Sequence, residues 1–331
     1  MTAALLALAL SAVSTSKIGV VVLGDDPTSQ TILGACPATV VAPLTATSSF
    51  GAALTTYRSA CTGGTIVARL DAAFINTGNP GVDAVNYWIT GLILVNGMGV
   101  RPDWVEGPAG VTYATPALHA TFWTTLADQI SGSTFQPIVG RLDPTTPASD
   151  FCPTATALAA KLYTWGWSWL ARTSTFTQNP TTEATTTLGY RTVSSTCTAL
   201  AGKPLFLTEA GPTAVPWPAG DVSWLAWLDG QVQSEAQAAA AFEAGGAVAP
   251  TLAPVAAALA AYLQNPQPPD AGSPDGGADG GTSGAIGGGT PGAPDGPPGP
   301  GPSSTCSSSG PGIGLLALVP VLALLRRRRA R

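Results

Sequence analysis

Between Lys17 and about Leu263, short apolar runs alternate with longer, Ala-rich stretches of helical character. Eight runs read as strands: Ile18–Leu23, Ala38–Ala42, Thr65–Leu70, Pro102–Glu106, Gln136–Leu142, Thr164–Leu170, Pro204–Thr208 and Ala238–Phe242. Helical stretches lie between them at Val82–Leu94, Ala117–Ile130, Ala155–Tyr163, Glu183–Leu200 and Val222–Glu235. Strands that are apolar on both faces belong to parallel sheets covered by helices. Their alternation with helices over roughly 250 residues predicts an α/β fold, a (β/α)8 TIM barrel. An open doubly wound sheet is the rival. Against it, no GxGxxG follows the first strand, where Gly24-Asp25-Asp26 stands instead.

Both ends of the chain change character. Ala3 to Leu10 is apolar and Ser11 to Ser14 is compatible with signal-peptidase cleavage, so residues 1–16 read as a leader that lacks a positive start. A first buried strand or helix is the alternative. Residues 17–264 form the expected barrel. From 265 to 311 Pro, Gly, Asp and Ser dominate, a composition that cannot bury enough surface to offset ordering entropy and predicts a disordered tether. Residues 312–331 hold the apolar run Gly312–Leu325 and the cluster Arg326–Arg329. The run is shorter than the ~20 residues of a straight spanning helix, and the arginines obey the positive-inside rule. This tail resembles the C-terminal sorting tags of myxobacterial surface proteins, with Cys306 in a Ser/Gly setting, a short hydrophobic helix and an arginine cluster. The resemblance implies export, a cell-surface location, a membrane anchor through the tail, sorting machinery as a partner and processing near Cys306.

Charged residues make up only 10% of the chain and the net charge is −5, so nothing suggests an anionic partner and no nucleic acid is expected. The sole histidine, His119, falls in an expected helix, so Ser-His-Asp catalysis and multi-histidine metal sites lose support. No metal or organic cofactor is implied. Cys36, Cys61, Cys152 and Cys197 contain no CxxC pair and point to two disulfides in an exported protein. Cys36–Cys61 and Cys152–Cys197 is the local pairing, although spacing does not fix connectivity.

The stretch from Lys203 to Gly211 carries the candidate chemistry. Leu205 to Leu207 read as a buried strand, and Thr208-Glu209-Ala210-Gly211 places a carboxylate where that strand leaves the sheet. In a (β/α)8 barrel that end carries catalytic residues; a helix-capping or solvent-facing Glu is the plain alternative. Several segments resemble clan A retaining glycoside hydrolases. Asp103 to Val111 is similar to their Glu-Gly-x-Asn-Glu-Pro segment, Trp167 to Thr173 to their Trp-Ser-x-His-x-Tyr stretch, and Gly202 to Gly211 to their nucleophile strand. Trp224–Asp229 and Ala238–Gly245 are similar to their last helix and strand. The resemblance implies a carbohydrate partner, with Glu209 as nucleophile.

The same resemblance shows what is missing. If Glu106-Gly107 matches the family's Glu-Gly, Ala109 and Gly110 stand where Asn and the acid/base Glu belong. Leu170 and Arg172 replace the His and Tyr of strand six. Glu106 itself is then the candidate for a displaced acid, while Asp25, Asp26, Asp71 and Asp143 after other strands suit helix caps and turns better. Trp165, Trp167 and Trp169 alternate and share one face. That face either packs on helices, the expectation for two of them, or stacks on sugar. Trp104, Trp217 and Trp169 complete the candidate sugar-contacting set. The chain thus reads as an exported carbohydrate-acting or carbohydrate-binding barrel with an incomplete catalytic pair, or as a non-catalytic surface protein.

Overall fold

Each apolar run becomes a strand because a parallel sheet covered by helices satisfies its backbone while burying both its faces. The computed structural model describes residues 11–173, 177–212, 223–244 and 253–266. Its strands are β1 (Ile18–Val22), β2 (Thr39–Leu44), β3 (Thr65–Leu70), β4 (Trp104–Glu106), β5 (Gln136–Leu142), β6 (Gly166–Thr173), β7 (Leu205–Pro212) and β8 (Ala238–Ala244). Neighbours in sequence are neighbours in space, every pair is parallel, and β8 closes on β1. Closure rules out the open-sheet rival.

Alternation sorts the strand side chains into two cores. Val21, Val41, Val67, Trp104, Ile138, Phe206 and Ala238 fill the barrel. Their neighbours, among them Val20, Val40, Ile66, Val105, Val139, Trp167 and Leu207, face the helices and join the larger core. Trp165 and Trp169 lie in that outer core as well.

The helices are α1 (Pro27–Gly34), α2 (Ala53–Ala60), α3 (Pro80–Gly97), α4 (Pro116–Gly132), α5 (Ala148–Ala159), α6 (Pro180–Glu183), α7 (Tyr190–Thr196), α8 (Ser223–Val232) and α9 (Ala253–Gln264). Four start on one device, a capping side chain followed by proline: Asp26 before α1, Asn79 before α3, Thr115 before α4 and Asn179 before α6. The side chain satisfies an orphan N–H, and proline has none to satisfy. Three helices, α1, α2 and α9, fall outside the stretches read as helical in the sequence. Two expectations need correction. The helix expected at Ala155–Tyr163 begins earlier, at Ala148, and ends at Ala159. The single helix expected over Glu183–Leu200 is broken into α6, α7 and a 3-10 turn at Thr198–Leu200. Threonines break it, because the hydroxyls of Thr186 and Thr187 bond the buried Glu183 carboxylate in place of continuing the helix.

Both disulfides form as the local pairing has them, Cys36–Cys61 and Cys152–Cys197, with Cα atoms 5.3 and 5.1 Å apart. They fasten the α1–β2 turn to the end of α2, and α5 to the end of α7. Ahead of β1, Ser11–Ala12 pairs in parallel with Cys61–Thr62, and the Ser14 N–H donates to the Cys36 carbonyl at 2.8 Å. Replacing Cys152 and Cys197 together by alanine is expected to lower unfolding free energy by about 2–4 kcal/mol through a less constrained unfolded chain. Guanidinium titration of the oxidised parent and the double variant checks this; equal midpoints would show that the bridge adds nothing.

Among the described residues no helix is long and apolar enough to cross a membrane. The expected leader core (residues 1–10), Trp217, Cys306, the Pro/Gly-rich stretch and the Gly312–Leu325 tail lie outside the described residues.

Candidate active site

Three strands end in charge at the mouth of the barrel. Arg69 follows Val67 on the inner face of β3, and Asp71 comes directly after that strand. On β5 the pairing with β6 shifts between Val139 and Leu142. Gly140 (φ +98°) and Arg141 (φ +43°) make that bulge, and the left-handed backbone re-aims Arg141 across the mouth. On β7 strict alternation from the inward Phe206 would turn Glu209 outward. A register shift prevents this: Trp169 pairs with Leu207 but Leu170 pairs with Glu209, leaving Thr208 as the extra residue. Glu209 therefore points inward.

The four side chains form an alternating ring of charge. An Arg69 Nη1–H donates to Glu209 Oε1, and Arg141 Nη2 reaches the same oxygen at 3.5 Å. Arg141 Nη1 lies 2.7 Å from Asp71 Oδ1, and Arg69 Nε 3.4 Å from Asp71 Oδ2. Both guanidinium groups are nearly enclosed, which strengthens each pairing and raises the cost of breaking it.

Glu106, on the inner face of β4, is near enough to feel the charge of both arginines and is fully enclosed at 0% exposure. Burial pushes its carboxyl above the usual range, against the opposing pull of the Arg141 and Arg69 charges and the Ser168 and Thr208 hydroxyls. Neither Glu106 oxygen is in hydrogen-bonding geometry with any of them. Ser168 Oγ instead accepts the Arg141 backbone N–H at 3.1 Å. Two guanidinium charges already balance the Asp71 and Glu209 carboxylates, so a protonated Glu106 leaves the ring neutral.

The structure thus gathers Glu106 and Glu209 around the same two arginines, one enclosed and one at the mouth. Gly110 and Ala109 are exposed in the loop after β4. Gly110 has φ +66°, and a Cβ there would meet nothing within 4 Å. Two tryptophans need correction. Trp104 lies on the inner face below Glu106, its ring 5.0 Å from that of Phe206, and fills the barrel rather than presenting itself to sugar. Trp169 packs outside β6 at 2% exposure, and its indole N–H donates to the Thr186 carbonyl at 2.9 Å. Its face was legible from alternation, but which side of the sheet that face meets was not.

His119 is buried. Its Nε2 accepts the Trp123 indole N–H at 3.1 Å, and burial holds its pKa below the ordinary value. Asp143 accepts from the Thr145 N–H and hydroxyl, as a turn residue does. Sequence reading missed Arg69 and Arg141. Their signal was present: Arg-Leu-Asp occurs at the end of β3 (Arg69-Leu70-Asp71) and of β5 (Arg141-Leu142-Asp143), a basic residue inside an apolar run in a chain poor in charge. Among the described residues no group of three His, Cys, Asp or Glu side chains is arranged to hold a metal ion.

The barrel has neighbours among solved structures. A glucosidase from Croceicoccus marinus is 13% identical with a TM-score of 0.43, over 70% of this chain and 60% of that one. A GH5-4 broad-specificity endoglucanase from an uncultured bacterium is 10% identical with a TM-score of 0.44, over 73% and 85%. A sugar phosphate isomerase/epimerase from Parabacteroides distasonis gives 10% and 0.44 over 76% and 95%. The chain spans 60% of the length of the glucosidase. No family model matches it, and no curated protein does. No functional assignment rests on these likenesses.

Proposed function

We propose that this protein is an exported, surface-tethered barrel that binds carbohydrate at its mouth without turning over ordinary glycosides. The observation that carries the reading is the state of the two acid candidates. Glu106 is enclosed with no exposed surface, and Gly110 at the other candidate position has no side chain. A general acid must come within hydrogen-bond reach of the leaving oxygen, and neither residue meets that need. Asp71, the remaining carboxylate of the ring, is bonded through Oδ1 to Arg141 and lies with Oδ2 3.4 Å from Arg69 Nε. Carbohydrate as the ligand rests on the glycoside hydrolase resemblance of the segments around β4, β6 and β7. Export and tethering rest on the leader-like start, the paired cysteines and the sorting-tag resemblance of the tail.

The inward turn of Glu209 favours a second reading, a weak retaining glycosidase with Glu209 as nucleophile. Loss of a general acid typically costs ~10²–10⁴-fold in rate, so only substrates with good leaving groups would react.

One experiment separates the readings. The purified protein and its Glu209→Gln variant are given activated aryl glycosides and a polysaccharide panel, and retention on each polysaccharide is measured by affinity electrophoresis. The expected result is retention without turnover. Turnover that disappears in the variant would establish the glycosidase, and retention on no polysaccharide would remove the carbohydrate reading.

A further inference from the structure

Beside the charged ring, the loops after β4 and β5 enclose a groove of about 340 Å³. That volume lies within the range of small-molecule sites. Gly110, Arg141, Asp143 and Asp150 are among the residues that line it. Its walls are braced by bonds that need no ligand. The Tyr113 hydroxyl donates to Asp83 at 2.7 Å, the Thr112 carbonyl accepts from Asn76 at 2.7 Å, and the Thr115 hydroxyl caps α4. The turn at Asp143 is tied through Oδ1, the atom that accepts from both Thr145 and Thr146.

Charge decides what such a groove takes. Arg141 is the groove's cation, and both its terminal nitrogens already face Asp71 and Glu209. An acidic sugar would have to break a buried ion pair to reach it, and would approach two aspartates. A neutral sugar meets carboxylate acceptors for its hydroxyl donors and, at Gly110, bare backbone with open space where a side chain would stand.

Building on the carbohydrate reading above, we propose that this groove holds a neutral, hydroxyl-rich segment of the glycan, bonded to Asp143 and Asp150 and seated against Gly110. The missing acid side chain thereby becomes room for ligand.

The test uses the purified full chain, titrated by calorimetry with cello-, manno- and xylo-oligosaccharides and with oligogalacturonate as the acidic counterpart. Two variants accompany it: Gly110→Tyr, which adds a bulky side chain to the lining, and Asp150→Ala, which removes an acceptor. Circular dichroism and the melting midpoint verify the fold of each, and either folded variant suffices. At least one neutral oligosaccharide is expected to bind, with affinity at least tenfold lower in the variants, and oligogalacturonate is expected to bind more weakly than the neutral series. Undiminished binding in the folded variants would overturn the groove while leaving carbohydrate binding intact. Preference for oligogalacturonate would overturn the neutral class. Absence of binding by every oligosaccharide would overturn the groove, and the polysaccharide retention assay then decides whether the carbohydrate reading falls with it.

Discussion

Arg69→Ala is expected to destabilise the protein by about 3–5 kcal/mol, because removing one guanidinium from a buried set of paired charges leaves it with an uncompensated negative charge. Arg69 is the closest cation to Glu209, and its Nε also leans on Asp71. Arg141 stays beside both carboxylates, 2.7 Å from Asp71 and 3.5 Å from Glu209. Chemical denaturation of Arg69→Ala, Glu209→Gln and the double variant isolates the pair. The double variant should be more stable than the two single losses add up to, since the neutral amide that replaces the Glu209 carboxylate no longer needs the arginine. Strict additivity would mean that the two side chains do not stabilise one another, and the charge ring would then be only a static arrangement.

The second large effect is on pH dependence. Burial raises the Glu106 carboxyl above its ordinary value of 4.5 in the folded state. A group of this kind contributes stability that is fully present below the unfolded value and is lost as pH rises toward the folded one. Above pH 4.5 the unfolded chain releases a proton that the native state still holds. Stability from this group therefore falls by about 1.4 kcal/mol per pH unit until the folded carboxyl itself ionises. Glu106→Gln keeps the shape and removes the proton, so its stability should fall less steeply with pH over that window. Asp83 and Glu183 titrate with the opposite sign, held low by hydrogen bonds that outweigh their burial, but they are common to both proteins and cancel in the comparison. Parallel pH profiles for parent and variant would show that Glu106 is ionised in the native state.

The barrel was legible because its strands are continuous apolar runs, and every run chosen from the sequence contains or overlaps a barrel strand. Helices α1 and α2 were not, because each is only eight residues long and offers barely two turns of pattern to read. At the site, Glu209 was legible from its place after Leu207, but its inward direction was not. Alternation alone would have turned it outward, and only the bulge at Thr208 reverses that. Arg141 depends on the same kind of irregularity, with two left-handed residues in succession. For Glu106, alternation gave the inward face but not its enclosure, which follows from two arginines arriving from β3 and β5. Pairwise geometry among three strands distant in sequence leaves no local trace.

The seam of the barrel sets an order on how it is made. Ile18 at the start of β1 pairs with Ala239 in β8, and the Lys17 backbone N–H donates to the buried Asp229 carboxylate of α8 at 2.8 Å. A chain that leaves the ribosome N-terminus first must hold β1 with an unpaired edge until nearly the whole domain has been synthesised. Contacts of such long sequence separation form slowly. The final strand therefore acts as the latch that ends the exposure of the first strand's edge.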